Sequence, residues 1–493
     1  MLTLIVGSLL TAAAPPIVQT LKTEGMSPAE RVLGQTLQGL VGRQSPKIWF
    51  ETKGIQPLVK EDLAKSGVKF QEAKGIWPLV AQFKSDIKGA ILYKIGTPSL
   101  SVANGLCGPM NAVAIDESLE DAAKQAGLTI LLDVRGMTEE QAFDKYRDLY
   151  KPGIIVEQSI SKTGFLRDYA VKHSAFVMDT KNREFRRKVV KAFGPTPFVL
   201  GWGPDEYQWI SDVSAGGGTG LAADWCSNLS ALESLPVKKL NPPKFKPAKN
   251  EDNVRYVAFV MSDGDNIQWV TGDFATNPKF YGSPLRGQFP LSWEMAPTLT
   301  RFAPSVLARI YATAKPTDDF VTGPGLPGYM FPHLQPDLNV LAKQTEPYIK
   351  QSGLRTLSFL NTNSGKMEET FPWLDLKDAD AAIYKDYSPY HGRHGKILWH
   401  NGKPVVSYRF VLWSNLMDID PLAQAIAKMP TEPRTNVESY ALINVHAWSY
   451  GNIGGPVEAV RRTIAKLPPN TRVVTANQLI DLLKRNRSGF QTP

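Results

Sequence analysis

The chain has 493 residues, of which 43 % are hydrophobic and 21 % charged, and its formal net charge is +9. This composition is that of an ordinary globular protein, which excludes a disordered or low-complexity chain, and the length allows two to four domains of roughly 100–200 residues. The basic residues are spread along the chain and form no arm interleaved with aromatic residues, so we expect no nucleic-acid partner.

The first fourteen residues, MLTLIVGSLLTAAA, are a short apolar stretch that ends in small residues. This pattern is typical of a secretory signal peptide, and it is shorter than the roughly 20 residues of a membrane span. A buried N-terminal strand is the alternative, since no basic residue precedes the stretch and Pro15-Pro16 follows it. We therefore expect an exported protein, periplasmic or secreted, without a membrane span.

Residues 22–235 alternate between helical and strand patterns. Ser27-Pro28-Ala29-Glu30 is a helix start, with serine as the cap and glutamate at the third position. Strand patterns follow at 46–50, 89–93, 112–115, 129–132, 154–156 and 198–201. Helices between such strands indicate parallel pairing, so we predict an open α/β domain. The glycine-rich stretch 214–220 matches neither a dinucleotide nor a P-loop motif, and we predict a flexible surface loop there.

A linker rich in proline and lysine, residues 236–250, separates this domain from a second one at residues 251–488. Strand patterns in the second domain occur at 255–261, 291–294, 356–360, 381–384, 405–410, 441–445 and 472–474. Helical stretches separate several of them. This order predicts a (β/α) barrel-like domain, incomplete or distorted, with an open doubly wound sheet as the alternative.

The two cysteines, Cys107 and Cys226, belong to no CxxC pattern or Cys/His cluster, which argues against a structural zinc site. A disulfide between them is compatible with export, and two buried thiols are equally compatible with the sequence.

The first strand of the second domain runs directly into a cluster of polar residues. Asp263, Asp265 and Asn266 follow it, with Gly264 between the two acids and Trp269 shortly after. Active sites of parallel α/β proteins form where strands end, and two carboxylates this close cannot both ionise cheaply. We therefore predict a general acid here, while a divalent cation bound by Asp263 and Asp265, or a simple capping turn, are the alternatives.

Other predicted strands also end in candidate site residues. Glu294 is the preferred second catalytic carboxylate because it also stands at a strand end. Asn266 and Trp269, beside the aspartates, are candidate substrate contacts. Further candidate contacts at the other strand ends are Asp205, Glu206, Trp293, Arg409, His446 and Trp448.

The segment 323–332, GPGLPGYMFP, resembles the signature of the GxGYxYP family of bacterial glycoside hydrolases. Gly328, Tyr329 and Pro332 match that signature, whereas Leu326 and Phe331 replace its first glycine and second tyrosine. The polar segment 262–266 and the His446 segment are also similar to the family. The resemblance implies an exported protein of polysaccharide breakdown, and Tyr329 becomes a candidate substrate contact.

The sequence therefore favours a glycoside hydrolase that acts on a polysaccharide or oligosaccharide without a cofactor. Asp263 or Asp265 would be one catalytic carboxylate and Glu294 the other. A metal-dependent carbohydrate deacetylase and a glycan-binding protein without catalytic activity are the alternatives.

Overall fold

The computed structural model describes residues 17–235, 237, 239–390 and 393–490, so the predicted signal peptide lies outside the described residues. Helices and strands alternate along the chain, and most paired strands are parallel. The predicted α/β fold is therefore confirmed. Within the described ranges, no helix is both long enough and apolar enough to cross a bilayer.

The part of the chain before residue 236 builds parallel sheets from β1 to β10, with strand orders β2-β1-β3, β5-β4-β6 and β10-β9-β7-β8. Their strands are β1 (Ile17–Leu21), β2 (Ile48–Phe50), β3 (Lys69–Glu72), β4 (Gly89–Tyr93), β5 (Ala112–Asp116), β6 (Ile130–Asp133), β7 (Ile154–Glu157), β8 (Phe176–Met178), β9 (Phe198–Gly201) and β10 (Thr219–Ala222). The α-helices are α1 (Pro28–Val41), α2 (Gln56–Lys65), α3 (Ile76–Gln82), α4 (Ser99–Met110), α5 (Glu120–Gln125), α6 (Glu139–Tyr146), α7 (Arg167–His173), α8 (Arg183–Ala192), α9 (Glu206–Ala215) and α10 (Leu229–Ser234).

Helix α1 begins where its capping residues predict. The Ser27 Oγ accepts a hydrogen bond from the Glu30 backbone N–H at 3.2 Å, and Glu30 Oε2 accepts one from the Ser27 N–H at 2.9 Å. Each side chain thereby satisfies a donor that the first turn leaves free. Val32, Leu33 and Leu37 are fully buried on the packed face of this helix.

The glycine-rich stretch is not the predicted surface loop. Its first residues end α9, a short turn follows, and Thr219 begins the buried strand β10. Gly220 lies against Trp209, and a Cβ atom at Gly220 would come within 2.9 Å of that indole. The glycine is needed for close packing at this point, and flexibility plays no part.

The part after residue 250 contains β11 to β20, in two sheets ordered β13-β12-β11-β19-β18 and β14-β15-β17-β16, with β20 pairing the start of β11. Its strands are β11 (Arg255–Met261), β12 (Leu291–Met295), β13 (Asp318–Thr322), β14 (Thr356–Asn361), β15 (Ala381–Asp386), β16 (Ile397–His400), β17 (Lys403–Ser407), β18 (Phe410–Leu412), β19 (Tyr440–Val445) and β20 (Thr471–Val473). Its α-helices are α11 (Ile267–Val270), α12 (Leu299–Phe302), α13 (Pro304–Ala312), α14 (Leu338–Ser352), α15 (Phe371–Leu374), α16 (Ile419–Ala427), α17 (Pro456–Ile464) and α18 (Ala476–Asn486).

A closed barrel is not confirmed, because the β ladder is interrupted between β13 and β14 and between β17 and β18. At the first seam, the Ser358 N–H donates to Thr322 Oγ1 at 2.8 Å, in place of a strand pairing. At the second, the chain turns at Tyr408 and Arg409, whose N–H groups donate to carbonyls of β15 and β19. The single strand predicted at 405–410 is therefore two strands, one in each sheet.

The predicted linker contains no helix or strand at residues 237 and 239–250, and most of these residues are exposed. The domain boundaries placed on either side of it remain predictions. Cys107 and Cys226 are both buried and unpaired, so the structure contains two buried thiols and no disulfide between them.

Candidate active site

A pocket of about 170 Å³ opens where β9, β11, β15 and β19 end. Seven predicted site residues line it: Glu206, Asp263, Asp265, Asn266, Tyr329, His446 and Trp448. Seven more line it that the sequence analysis did not select: Trp202, Ser262, Pro324, Leu360, Lys385, Tyr390 and Asn444. The strand ends converge here because the strands are parallel, as in other α/β proteins.

The loop after β11 is fixed by its neighbours on both sides. Asp263 has a φ of +70°, and Gly264 is pressed so closely on β12 that a Cβ atom would lie 1.9 Å from the Glu294 carbonyl oxygen. Ser262 Oγ donates to Asp263 Oδ2 and accepts from the Ala447 N–H at 3.3 Å. Only glycine fits between the two acids, so the backbone determines where both carboxyl groups lie.

Asp265 is the most deeply buried carboxyl group that lines the pocket. It is 8 % exposed, and no other described residue donates a hydrogen bond to its carboxyl group. Burial raises its pKa well above the usual range, and the negative charges of Asp263 and Glu294 raise it further. A buried carboxyl group with a raised pKa is suited to act as a general acid.

Glu294 lies beneath the pocket floor and does not line the pocket. It accepts hydrogen bonds from Ser358 Oγ at 2.7 Å, from Lys385 Nζ at 3.3 Å and from the Asp263 backbone N–H at 3.1 Å. Burial raises the pKa of Glu294, while the Lys385 charge opposes that shift. Its contacts make it a positioning residue that holds Asp263 and Lys385, whereas the sequence had suggested a catalytic partner for the aspartates.

Glu206 enters the pocket from the N-terminal part of the chain, at the first position of α9. The Tyr329 hydroxyl donates to Glu206 Oε1 at 2.9 Å. Burial raises the pKa of Glu206, and the Tyr329 hydrogen bond works in the opposite direction. The tyrosine of the family signature therefore orients a carboxylate that is more than a hundred residues away in sequence.

The Tyr329 segment is itself anchored to the sheet of β10. Tyr329 and Gly220 exchange backbone hydrogen bonds of 2.7 and 2.8 Å. The preceding Gly328 lies so close that a Cβ atom would be 2.7 Å from the Gly220 carbonyl oxygen. The glycine of the signature permits this contact between the two parts of the chain.

His446 forms one wall of the pocket and stacks on Trp413, with ring centroids 3.7 Å apart and an interplanar angle of 1°. Burial lowers its pKa, and the nearby Asp263 charge opposes that shift. Beside it, Asn444 Oδ1 accepts from Lys385 Nζ at 3.3 Å. The imidazole is therefore mainly neutral at pH 7 and suited to hydrogen bonding with a polar ligand.

Aromatic rings flank the carboxyl groups. Trp448 is 51 % exposed and packs on Trp269, with ring centroids 4.9 Å apart. Trp202 lines the pocket and packs on Trp209 at 5.0 Å. Trp269 itself is buried behind Trp448 and supports it without lining the pocket. Exposed indole faces beside carboxyl groups provide both an apolar and a polar surface for a ring-shaped polar ligand.

Three predicted contacts lie elsewhere. Trp293 is fully buried, and its Nε1–H donates to Asp318 Oδ1 at 3.1 Å, away from the pocket. Arg409 donates to the Glu438 carbonyl oxygen at 3.1 Å. Asp205 caps α9 by accepting from the Gln208 N–H at 2.8 Å. Each of the three has a structural contact in place of a position in the pocket.

Asn444 was missed because it lies inside the predicted strand 441–445, and Lys385 was missed because the strand predicted at 381–384 in fact continues through it to Asp386. A charged or amide side chain in a buried strand was the available signal, since such groups are buried only when they have partners. Within the described ranges, no group of three or more His, Cys, Asp or Glu residues is arranged to hold a metal ion.

The fold and the pocket define an α/β protein whose site contains several carboxyl groups between aromatic side chains. Such a site is suited to acid–base chemistry or to binding a polar ligand. Family models match most of the chain: the "GxGYxYP putative glycoside hydrolase C-terminal domain" at residues 253–484, the "GxGYxYP third domain" at 152–234 and the "GxGYxYP_N second domain" at 87–150. The chain belongs to the GxGYxYP family.

A crystal structure from Bacteroides thetaiotaomicron, described as that of "a putative hydrolase", is similar to this chain along nearly its whole length. The two superpose with a TM-score of 0.87 at 27 % sequence identity, over 96 % of this chain and 95 % of that one. No curated protein matches the sequence.

Proposed function

We propose that the protein is a glycoside hydrolase that cleaves a polysaccharide or oligosaccharide bound in the pocket of Asp263 and Asp265. The observation that carries the proposal is Asp265, a buried carboxyl group with a raised pKa that faces a pocket lined by a second carboxyl group and by indole rings. Glycosidases use one protonated and one ionised carboxyl group on either side of the scissile bond.

In this mechanism, Asp265 donates its proton to the oxygen of the leaving group as the glycosidic bond breaks. Asp263 is its partner: it either takes a proton from the water that attacks the anomeric carbon, or attacks that carbon itself to form a glycosyl-enzyme, which a water activated by Asp265 then hydrolyses. Its backbone N–H is held by Glu294 and its carboxylate by Ser262. Trp448 and Trp202 would stack on the sugar rings, and His446 would bind a hydroxyl group.

The test is product release from a panel of polysaccharides, oligosaccharides and acetylated glycans, with and without EDTA. We expect reducing sugar to appear in both conditions and to fall about 10²–10⁴-fold in Asp265→Asn, the range for loss of a general acid. Asp86→Asn is the matched control, because it makes the same change of side chain at an exposed aspartate that lies outside the pocket.

Two results would overturn the proposal. Release of acetate that stops with EDTA would indicate a metal-dependent deacetylase. Binding of glycans without any product, unaffected by Asp265→Asn, would indicate a binding protein.

We also propose that the protein is exported through its N-terminal apolar stretch. N-terminal sequencing of the protein from a periplasmic or culture fraction should find a start after residue 14. Recovery of a full-length chain from the cytoplasm would contradict export.

A further inference from the structure

The pocket contains more carboxyl groups than acid–base chemistry requires. Three carboxyl groups line it, those of Glu206, Asp263 and Asp265, whereas a two-carboxyl mechanism uses two. The lysine that lines the pocket, Lys385, has its ammonium group 3.3 Å from Glu294, so its charge is already offset. Glu206 and both aspartates lie close enough together for their charges to interact, so the ligand meets a cluster of acidic groups.

Two of these carboxyl groups have oxygen atoms that accept no hydrogen bond from the rest of the described structure. The carboxyl group of Asp265 is nine-tenths buried and accepts nothing from any other described residue. Glu206 uses Oε1 for the Tyr329 hydroxyl, and Oε2 receives no hydrogen bond from the described residues. The free Glu206 oxygen is an acceptor, so the ligand group that it contacts must supply a donor.

Glu206 is also the carboxylate that the catalytic steps leave unused. It comes from α9, on a different part of the chain from the Asp263 loop, and it is close enough to both aspartates for their charges to interact with it. Tyr329 fixes its direction. A carboxylate that is held in place but has no catalytic step is suited to recognising the substrate.

We propose that Glu206, oriented by Tyr329, selects a sugar that carries a protonated amine. This proposal rests on the proposed glycosidase function, which places a sugar in this pocket. An ammonium group supplies an N–H donor to the free Glu206 oxygen and offsets the negative charge of the acidic groups. A uronic acid is disfavoured, because its carboxylate would face the three carboxyl groups of the pocket. The substrate class is therefore a glycan that contains free amino sugars.

The experiment compares monosaccharides of the same ring configuration that carry an amine, a neutral group or a carboxylate. The binding of 2-amino-2-deoxy sugars, their neutral parents, their N-acetyl forms and the corresponding uronic acids is measured in the gluco, galacto and manno series. Isothermal titration calorimetry at pH 7 in low salt with EDTA removes any contribution from metal ions. We expect one amino sugar to bind about tenfold or more tightly than its neutral parent, the N-acetyl form to resemble the parent, and uronic acids not to bind.

Variants assign the preference to Glu206. Glu206→Gln should bring the ratio of amino-sugar to neutral-sugar affinity close to one, and Tyr329→Phe should reduce it in part, whereas Asp86→Asn, at an exposed aspartate outside the pocket, should leave it unchanged. A merely structural role would weaken all sugars equally and keep the ratio. Equal affinity for charged and neutral sugars, or a ratio unaffected by Glu206→Gln, overturns the proposal. Turnover of neutral glycans without an amine preference would overturn it while the glycosidase proposal stands, and failure to bind any sugar would overturn both.

Discussion

Replacing Asp265 by asparagine should stabilise the folded protein, and the gain should grow with pH. Burial and the charges around it raise the pKa of Asp265 in the folded state. The folded state then binds the proton more tightly than the unfolded state, whose aspartate titrates near pH ~3.9. Wild type therefore loses stability as pH rises from that value to the raised folded-state pKa, whereas asparagine has no proton to lose.

The magnitude follows from the single proton involved. When the folded state binds one more proton than the unfolded state, the free energy of unfolding falls by about 1.4 kcal/mol for each pH unit. The difference between Asp265→Asn and wild type should rise with that slope and become constant once the folded-state Asp265 has ionised. Active-site residues that favour function at the expense of stability behave in this way.

The assay is urea denaturation followed by tryptophan fluorescence and circular dichroism, at pH values from about 4 to about 9. Asp86→Asn should follow wild type at every pH, because it makes the same change of side chain at an exposed position outside the pocket. If the free energy of unfolding varied with pH in parallel for wild type and Asp265→Asn, the prediction would be wrong. That result would mean that Asp265 binds its proton equally well in the folded and unfolded states.

The same group should set the upper pH limit of activity. The general acid must be protonated, so kcat should fall as pH rises through the pKa of Asp265. The charge of Glu206 is among the factors that raise this pKa, and Glu206→Gln should therefore move the limit to lower pH. A limit that stays in place in this variant would mean that another group controls it.

Three further predictions concern the framework of the site. Gly328→Ala places a Cβ atom against a backbone oxygen and should cost about 1–3 kcal/mol in urea denaturation, whereas Gly136→Ala, with nothing within 4 Å, should cost little. Lys385→Met leaves Glu294 as a buried charge without its cation and should lower the free energy of unfolding by about 3–5 kcal/mol. Adding Glu294→Gln in a double variant should recover much of this loss. A single variant as stable as wild type would contradict the ion pair. Ser27→Ala removes a helix cap and should cost about 1 kcal/mol with kcat unchanged; loss of kcat would show that α1 affects the site.

Some strands, loops and helix ends could be predicted because the pattern that specifies them lies within a few neighbouring residues. The strand Arg255–Met261 has the predicted bounds, because a buried parallel strand is an unbroken apolar run that ends where polar residues begin. The same contrast predicted the Asp263 loop and the His446 segment, both of which reach the pocket. The start of α1 followed from its capping box.

Sequence patterns were misinterpreted where the environment of a residue depends on residues far away in the sequence. The glycine-rich stretch before β10 has the composition of a surface loop, yet Trp209 and Tyr329 pack against it and make it core. Trp293 ends a strand as a site residue would, but its indole points to Asp318. Along a strand, alternate side chains face opposite sides, so a one-residue difference decides whether a side chain reaches the site.

Only the tertiary structure decided which carboxyl groups meet. Glu206 reaches the aspartates because the Gly328 segment is anchored to β10 and Tyr329 then bonds to Glu206, a contact between residues 123 positions apart. Glu294 lies beneath the floor of the pocket, where Lys385, from another sheet, supplies its counter-charge. Such partners are brought together by packing between sheets, and no local pattern of residues encodes the distance between them.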